Sequence, residues 1–198
     1  MFKQQIKPAI LSLIVLTIIT GIIYPLLVTG MAQIFFPKQA NGSLIYREGK
    51  PVGSVLVGQQ FDDPKYFWGR LSATSPSSFN AASSSGSNLG PSNPALLDEI
   101  KGRIKALKEY DRDNVMPIPV DLVTSSASGL DPHISLAAAR YQIPRIARLR
   151  GLSSDTIKTI VKQHTHGRLL GLIGEPVVNV LEINLALDSI KINSKDKK

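Results

Sequence analysis

The feature that most constrains this chain is an uncharged apolar segment near its N-terminus. Between Lys7 and Lys38 there is no Asp, Glu, Lys or Arg, and the segment is rich in Ile, Leu and Val. Residues 8–37 exceed the about 20 apolar residues that a helix needs to cross a bilayer. No amphipathic period interrupts them, so a helix formed here is apolar on every side, as lipid contact requires. We therefore predict a transmembrane anchor helix over residues 8–37.

A cleaved signal peptide is the alternative explanation of this segment. Its apolar part has about 7–15 residues and is followed by small residues at an Ala-x-Ala cleavage site. Here the apolar run is much longer, and no such site follows it. We therefore expect an uncleaved, single-pass anchor, with residues 1–7 as an N-terminal tail.

Two local features lie inside the anchor. Pro25 cannot donate a backbone hydrogen bond and its ring crowds the carbonyl of Gly21, which predicts a kink. Thr17 and Gly21 form a small-xxx-small pair that would let a partner helix approach closely. Since small residues are common in membrane helices, the pair is also what a helix without a partner would show.

The composition of the rest limits the kinds of site that the chain can carry. The 198 residues have a net charge of +8 and contain no cysteine, which excludes disulfides, thiolate metal sites and thiol nucleophiles. A basic domain beside a membrane can contact lipid head groups, nucleic acid or an acidic partner. Positive charges are nearly balanced on the two sides of the anchor, so the positive-inside rule does not settle its orientation.

After the anchor we predict one soluble α+β domain over residues 38–190 and a basic C-terminal tail over residues 191–198. Its first half begins with a hairpin, because two β-rich runs flank a Gly-containing connection at 48–51. Three aromatic residues at 66–68 then predict either a corner that covers the core or a platform for a ligand. Residues 71–94 are rich in Ser, Asn, Gly and Pro, and a connection of this length is either functional or disordered.

The second half predicts short helices and strands. Asn93 followed by Pro94 is typical of a helix start, and Ser135 and Ser153 or Ser154 are further candidate caps. The predicted elements are a helix from 94 ending before Pro117, a strand at 119–124, a helix from 136 to 142, a second from 145 to 150, a third ending at His164, and a strand at 181–188 that alternates apolar and polar residues.

A cluster of positive charge follows the predicted strand at 119–124. Residues 138–168 carry seven Lys and Arg side chains and a single acidic residue, Asp155. A short helix, Gly151 and another short helix also resemble a helix-turn-helix. The pattern indicates either a membrane-anchored DNA-binding regulator or ordinary helices with solvated arginines.

Several residues have the side-chain types of catalytic sites. They are Asp131, His133 and Ser135, together with His164 and His166. However, no Gly-x-Ser-x-Gly elbow is present, and His164 and His166 do not share a helix face. We therefore predict no catalytic residue and no metal ligand in this chain, and a turn at Asp131.

Five motifs resemble the C subunit of the potassium-transporting ATPase, the KdpC family. They are Tyr-Phe-Trp-Gly-Arg at 66–70, the Gly- and Asn-rich 86–94, Pro-Val-Asp-Leu-Val-Thr at 119–124, Ser-Gly-Leu-Asp-Pro-His-Ile-Ser at 128–135, and Gly-Glu-Pro with Asn-Val-Leu at 174–181. With the anchor, the resemblance covers nearly the whole chain in the same order. Three positions depart from the family pattern: Ser85 stands where glycine is usual, and Leu71 and Leu136 stand where prolines are common.

The resemblance implies a non-catalytic subunit of a high-affinity, ATP-driven potassium uptake complex. Its partners would be membrane lipid, a channel-like subunit that binds potassium and a P-type ATPase subunit that hydrolyses ATP, with no nucleic acid. The chain itself has no Asp-Lys-Thr-Gly phosphorylation motif. The family is described as a catalytic chaperone that raises the affinity of the ATPase subunit for ATP, and its suggested ATP contacts fall on Ser85, Gly86, Ser87 and Gln142.

Family topology implies a single-pass protein of the bacterial inner membrane with its soluble domain on the outer face. No ATP is available there, so we expect any effect on ATP affinity to be a coupling between distant sites rather than direct contact. We expect the domain to cap the ion entrance of the channel subunit. Potassium is then the transported ion and is not bound by this chain.

Overall fold

The computed structural model describes residues 2–190, which form two compact units divided between Ile45 and Tyr46. The predicted basic tail at 191–198 lies outside the described residues. A long N-terminal apolar helix followed by a mixed helix and strand domain confirms the predicted α+β class.

The N-terminal unit is helical almost throughout. Helix α1 (Phe2–Ile18) continues through a π-helical turn (Ile19–Ile23) into α2 (Tyr24–Phe35), and a short α3 (Pro37–Ala40) follows. The candidate membrane span within it is Gln4–Phe35, whose most apolar part has no buried residue. Its 32 residues would extend about 48 Å, more than the about 30 Å hydrocarbon core of a bilayer. Its length and composition are therefore those of a helix that could cross a membrane, and the helix includes residues 2–7, which we predicted as a tail.

The π-helical turn ends at Ile23, two residues before Pro25, where the sequence predicts a kink. In a regular α-helix Pro25 would leave the carbonyl of Gly21 without its donor and clash with it. The π turn contains Gly21, and such turns are a known cause of local distortion in helices. The disturbance that Pro25 predicts is thus present as a change from α to π geometry. The predicted role of Thr17 and Gly21 in helix pairing stays a prediction.

Two small sheets are present in the described part of the chain. Strands β1 (Leu44–Arg47) and β2 (Lys50–Ser54) form the predicted hairpin, and its turn residues Glu48 and Gly49 both have positive φ, as a type I′ turn requires. The second sheet is antiparallel and has the order β3-β5-β4, with Val178 of the central strand paired to Ile134 and Thr165. Its strands are β3 (His133–Ser135), β4 (Thr165–His166) and β5 (Val177–Asn179).

Four helices contribute buried side chains to the core of this domain. They are α4 (Pro94–Tyr110), α5 (Leu136–Arg150), α6 (Ser154–Gln163) and α7 (Val180–Ser189). The predicted N-caps are confirmed, because the side chains of Asn93, Ser135 and Ser153 each accept a hydrogen bond from the first turn of their helix. Helix α5 ends at Gly151 in the left-handed conformation, as predicted.

Helix α5 corrects the prediction of two separate helices before and after Pro144. The chain stays helical through Pro144, although proline in a helix interior costs about 3 kcal/mol. Buried side chains lie on both sides of it, including Ala139, Ile143 and Ile146. Breaking the helix would remove one half of this face from the core, so packing outweighs the local cost.

The predicted strand at 119–124 is wrong as well. Residues Val120–Leu122 form a single 3₁₀ turn, in which the backbone N–H of Leu122 donates to the carbonyl of Pro119. Leu122 is fully buried whereas Val120 is exposed. Leu122 and the neighbouring Val123 are both buried and anchor the segment to the core without a strand partner.

The predicted strand at 181–188 is helix α7. Asn179 caps it by accepting a hydrogen bond from the N–H of Glu182. Its most buried face is formed by Val180, Ile183, Asn184 and Leu187, a spacing of i, i+3, i+4 and i+7. Ile183 and Leu187 are apolar positions in both the alternating pattern of a strand and the i, i+4 pattern of a helix. The sequence pattern therefore did not distinguish the two structures, and the strand prediction was wrong.

Candidate functional site

The aromatic segment at 66–68 forms the centre of the soluble domain, although it belongs to no helix or strand. Its backbone N–H and C=O groups therefore need other partners once they are buried. The amide of Asn184 accepts from Phe67 N at 2.8 Å and donates to Phe67 O at 3.0 Å. The amide of Gln142 does the same for Trp68, at 2.8 and 3.1 Å. Two buried side-chain amides thus replace the neighbouring strand that this segment lacks. We call Gln142 and Asn184 the amide clamps.

Two arginines complete the surroundings of Trp68. The guanidinium carbons of Arg103 and Arg145 each lie 4.7 Å from the Trp68 ring centroid, within the range of a cation–π interaction. Arg103 donates to the carbonyl of Gly69 at 3.0 Å, and Arg145 donates to the carbonyl of Tyr66 at 3.2 Å. The arginines therefore satisfy further backbone groups of the same segment.

Burial changes the titration of both guanidinium groups. It lowers the pKa of Arg145 to about 10 and lowers that of Arg103 in the same direction. Arg145 therefore stays protonated at neutral pH. The Arg145 head group is also held by the side chain of Gln142 at 2.6 Å, which joins it to the amide clamp.

This arrangement accounts for much of the positive charge that suggested a helix-turn-helix. Arg145 is buried against Trp68, Arg148 pairs with Asp111 at 3.1 Å, and Arg150 pairs with Asp188 at 3.0 Å. Phosphate contacts on DNA need cations that are free to face the ligand. The DNA-binding alternative is not supported.

A second cluster of polar residues lines a cleft of about 460 Å³. Four of the five sequence motifs contribute to it. Arg70 comes from the first motif, Asp121 from the third, Asp131 and His133 from the fourth, and Glu175 from the fifth. Because this cleft gathers the stretches that carry the family resemblance, it is the candidate functional site.

Asp131 holds the cleft together. Its Oδ2 lies 3.2 Å from Arg70 Nη1, and its Oδ1 accepts from the backbone N–H of His133 at 3.0 Å. Arg70 also donates to the carbonyl of Ser125, while its Nε is buried without a hydrogen-bond partner in the part of the chain that the structure describes. Burial by itself would raise the pKa of Asp131, but the hydrogen bonds from His133 and the charge of Arg70 outweigh it and lower the pKa.

The lowered pKa makes the contribution of Asp131 to stability depend on pH. It is present in full above the ordinary value of 3.8 and is lost as the pH falls through the lower, folded-state pKa. We expect Asp131→Asn to destabilise the domain at neutral pH by about 1 kcal/mol or less, since the pair is partly exposed. Urea unfolding at several pH values measures this. The difference from the unchanged chain should shrink below pH 3.8, and a constant difference would contradict the assignment.

The catalytic residue types of the fourth motif serve the fold. The hydroxyl of Ser135 accepts from Ala138 N at 3.0 Å as the cap of α5, and Ser135 N donates to Asp121 Oδ2 at 2.7 Å. His133 contacts Asp131, and no hydrogen bond joins His133 to Ser135 within residues 2–190. Ser135 thus acts as a helix cap, and the prediction that the chain has no catalytic residue stays a prediction.

The residues suggested as ATP contacts lie in two different surroundings. Ser85 N donates to the carbonyl of Ser128 at 3.0 Å, and a Cβ at Gly86 would lie 2.8 Å from the carbonyl oxygen of Ala127. Ser85 and Gly86 thus belong to a loop that lies directly against residues 127–128. Gln142 is a buried amide clamp on Trp68, so its suggested contact with ATP stays a prediction, as do those of Ser85, Gly86 and Ser87.

The long loop that contains Ser85 is held by side-chain hydrogen bonds. Ser72 Oγ donates to the carbonyl of Gly129 at 2.7 Å and accepts from Phe79 N at 2.8 Å. Thr74 Oγ1 donates to the carbonyl of Ser77 and accepts from Asn80 N. The Ser- and Asn-rich composition therefore supplies the internal bonds of a packed loop.

Sequence reasoning missed Arg103, Arg145 and Asn184 as parts of the centre. Arg145 lies in the stretch at 138–168 whose arginines the sequence predicts either to be solvated or to bind DNA, Asn184 is a polar position of the predicted strand at 181–188, and no pattern singles out Arg103. The one available signal was an amide side chain on an apolar helix face. An amide is rarely buried unless it has a hydrogen-bond partner, so its position there indicates that such a partner exists.

Fold and site together define a class of protein with one long N-terminal apolar helix and an α+β domain built on a clamped aromatic segment. The family model for the K+-transporting ATPase c chain, KdpC, matches residues 6–189. The chain therefore belongs to the KdpC family.

Curated relatives match over nearly their full length. The potassium-transporting ATPase KdpC subunit of Methylococcus capsulatus is 60% identical over 188 residues, which cover 95% of this chain and 99% of the relative. The corresponding subunit of Ralstonia nicotianae is 60% identical, covering 94% and 91%. That of Dechloromonas aromatica is 59% identical, covering 95% and 98%. The resemblance inferred from the five motifs is confirmed.

Proposed function

We propose that this chain is a non-catalytic subunit of a high-affinity, ATP-driven potassium uptake complex. The observation that carries the proposal is the family match, which includes both the apolar helix and the soluble domain. In this role the anchor places the chain in the bacterial inner membrane beside a channel-like subunit and a P-type ATPase subunit. The chain stabilises their assembly and contributes no reacting group.

The same proposal places the soluble domain on the outer face, over the ion entrance of the channel subunit. Its effect on the affinity of the ATPase subunit for ATP is then a coupling free energy between distant sites. The geometry of Gln142 supports this, because both ends of its amide already bind the Trp68 backbone. ATP contact at this residue would cost those two buried hydrogen bonds.

Two measurements test the proposal. A reporter fused after Lys198 should be active only outside the cytoplasm, and cytoplasmic activity would overturn the capping position and favour direct nucleotide contact. Cells that lack this chain should lose uptake of trace potassium and recover less assembled complex from mild detergent. Unchanged uptake through a fully assembled pump would refute the role as a subunit that the complex needs.

A further inference from the structure

The connection between β4 and β5, residues 167–176, carries a cluster of exposed aliphatic side chains. Leu169, Leu170, Leu172 and Ile173 are 66, 86, 83 and 64% exposed. Four large apolar residues within five positions form a contiguous patch, unlike the single exposed apolar residues that are normal on a protein surface. We call residues 169–173 the apolar knob.

The knob has a fixed shape. Leu169 N donates to Ile173 O at 2.8 Å, and Ile173 N donates to Leu169 O at 3.0 Å. At its base, Arg168 Nη2 donates to both carboxylate oxygens of Glu175, at 2.9 and 3.1 Å. A surface that is ordered before docking loses less conformational entropy when it binds.

Leu170 is unfavourable where it stands for two independent reasons. Its φ is +53°, a left-handed conformation that glycine or asparagine adopts at lower cost than leucine. Its side chain is also almost fully in water. Local conformation and hydration both favour another residue, so the stability of the chain does not explain this leucine, whereas a contact outside the chain does.

We propose that the apolar knob docks into an apolar recess on another subunit of the potassium-transporting ATPase, an inference that rests on the proposed function. The charges of the knob favour protein over lipid as the occupant. Arg168 is neutralised by Glu175, so residues 167–175 have no net charge with which to attract anionic head groups. They also contain no Trp or Tyr, the residues typical of membrane-interface anchors.

The substitution Leu170→Asn separates docking from folding, because asparagine tolerates the left-handed conformation. Full-length tagged chain is purified with its complex in mild detergent, and the recovered partner subunits are quantified. We expect an unchanged or higher thermal midpoint for the soluble domain and about tenfold lower retention of partner subunits, as for loss of a central interface side chain. Val115→Asp, at an apolar residue that is 96% exposed, is the matched control and should retain the complex.

A photocrosslinking residue at position 172 identifies the occupant in native membranes. Crosslinks to another subunit of the pump support the proposal, whereas crosslinks to lipid alone or to a second copy of this chain overturn it. If the Leu170→Asn chain retains all of its partner subunits in an assembled pump, the docking role of the apolar knob is refuted and the proposed function stands. If the unchanged chain retains no partner subunit, the proposed function fails instead.

Discussion

Trp68→Ala should destabilise the soluble domain by about 3–5 kcal/mol, the usual cost of removing a large aromatic side chain from a core. Trp68 is 3% exposed, its ring contacts two guanidinium groups, and its indole N–H donates to the carbonyl of Asp63. The substitution leaves a cavity and removes the apolar surface that accommodates two buried cations. A loss of this size is a large part of the about 5–15 kcal/mol that stabilises an ordinary domain.

Because Trp68 is the only tryptophan, its own fluorescence cannot follow the variant. Pulse proteolysis of the full chain in detergent across a urea series measures the unfolded fraction instead. Val115→Ala is a matched control, and we expect it to change stability by no more than about 0.5 kcal/mol. A loss below about 1 kcal/mol for Trp68→Ala would contradict its place at the centre of the core.

Gln142→Leu should cost about 2–5 kcal/mol, although leucine is apolar and close in size. The variant leaves the N–H and C=O of Trp68 buried without partners, and each such group costs about 1–3 kcal/mol. It also removes the acceptor that Arg145 uses at 2.6 Å. Asn184→Leu should behave similarly, because it removes both bonds to the backbone of Phe67.

The control is Gln163→Leu, since Gln163 is an exposed glutamine on α6 and should tolerate the change within about 0.5 kcal/mol. The same series addresses the ATP-contact prediction for Gln142. A variant that lowers ATP affinity of the complex while the domain keeps its full stability would favour nucleotide contact and contradict the clamp. If ATP affinity falls only in those variants that also lose stability in the urea series, the role of Gln142 as an amide clamp is supported.

The candidate site was predictable in parts. Arg70, Asp121 and Asp131 lie in stretches that the sequence singled out, so the relevant positions were known in advance. That Arg70 meets Asp131, and that four motifs line one cleft, depends on how distant segments pack. The sequence alone contains no measure of those distances.

The errors in the prediction share one cause. The alternation at 181–188 predicted a strand, and Pro144 predicted a break between two helices. Both predictions use only residues that are neighbours in the sequence. In the folded domain Asn184 reaches Phe67, 117 positions away along the chain, and the buried face of α5 continues past Pro144. The local preference is about 1 kcal/mol for a strand-forming residue and about 3 kcal/mol for an interior proline, and burying several large apolar side chains, at about 1.5–3 kcal/mol each, outweighs both.

By itself the sequence determined the apolar helix, a hairpin about the connection at 48–51, and helix caps at Asn93, at Ser135 and at Ser153 or Ser154. Each depends on groups only a few residues apart, and the span depends on length and polarity alone. Only the tertiary structure decided that α7 is a helix, that α5 is continuous, and that Gln142, Arg145 and Asn184 lie inside rather than on the surface. A buried polar side chain is stable only when its partners are in place, and here those partners come from distant parts of the chain.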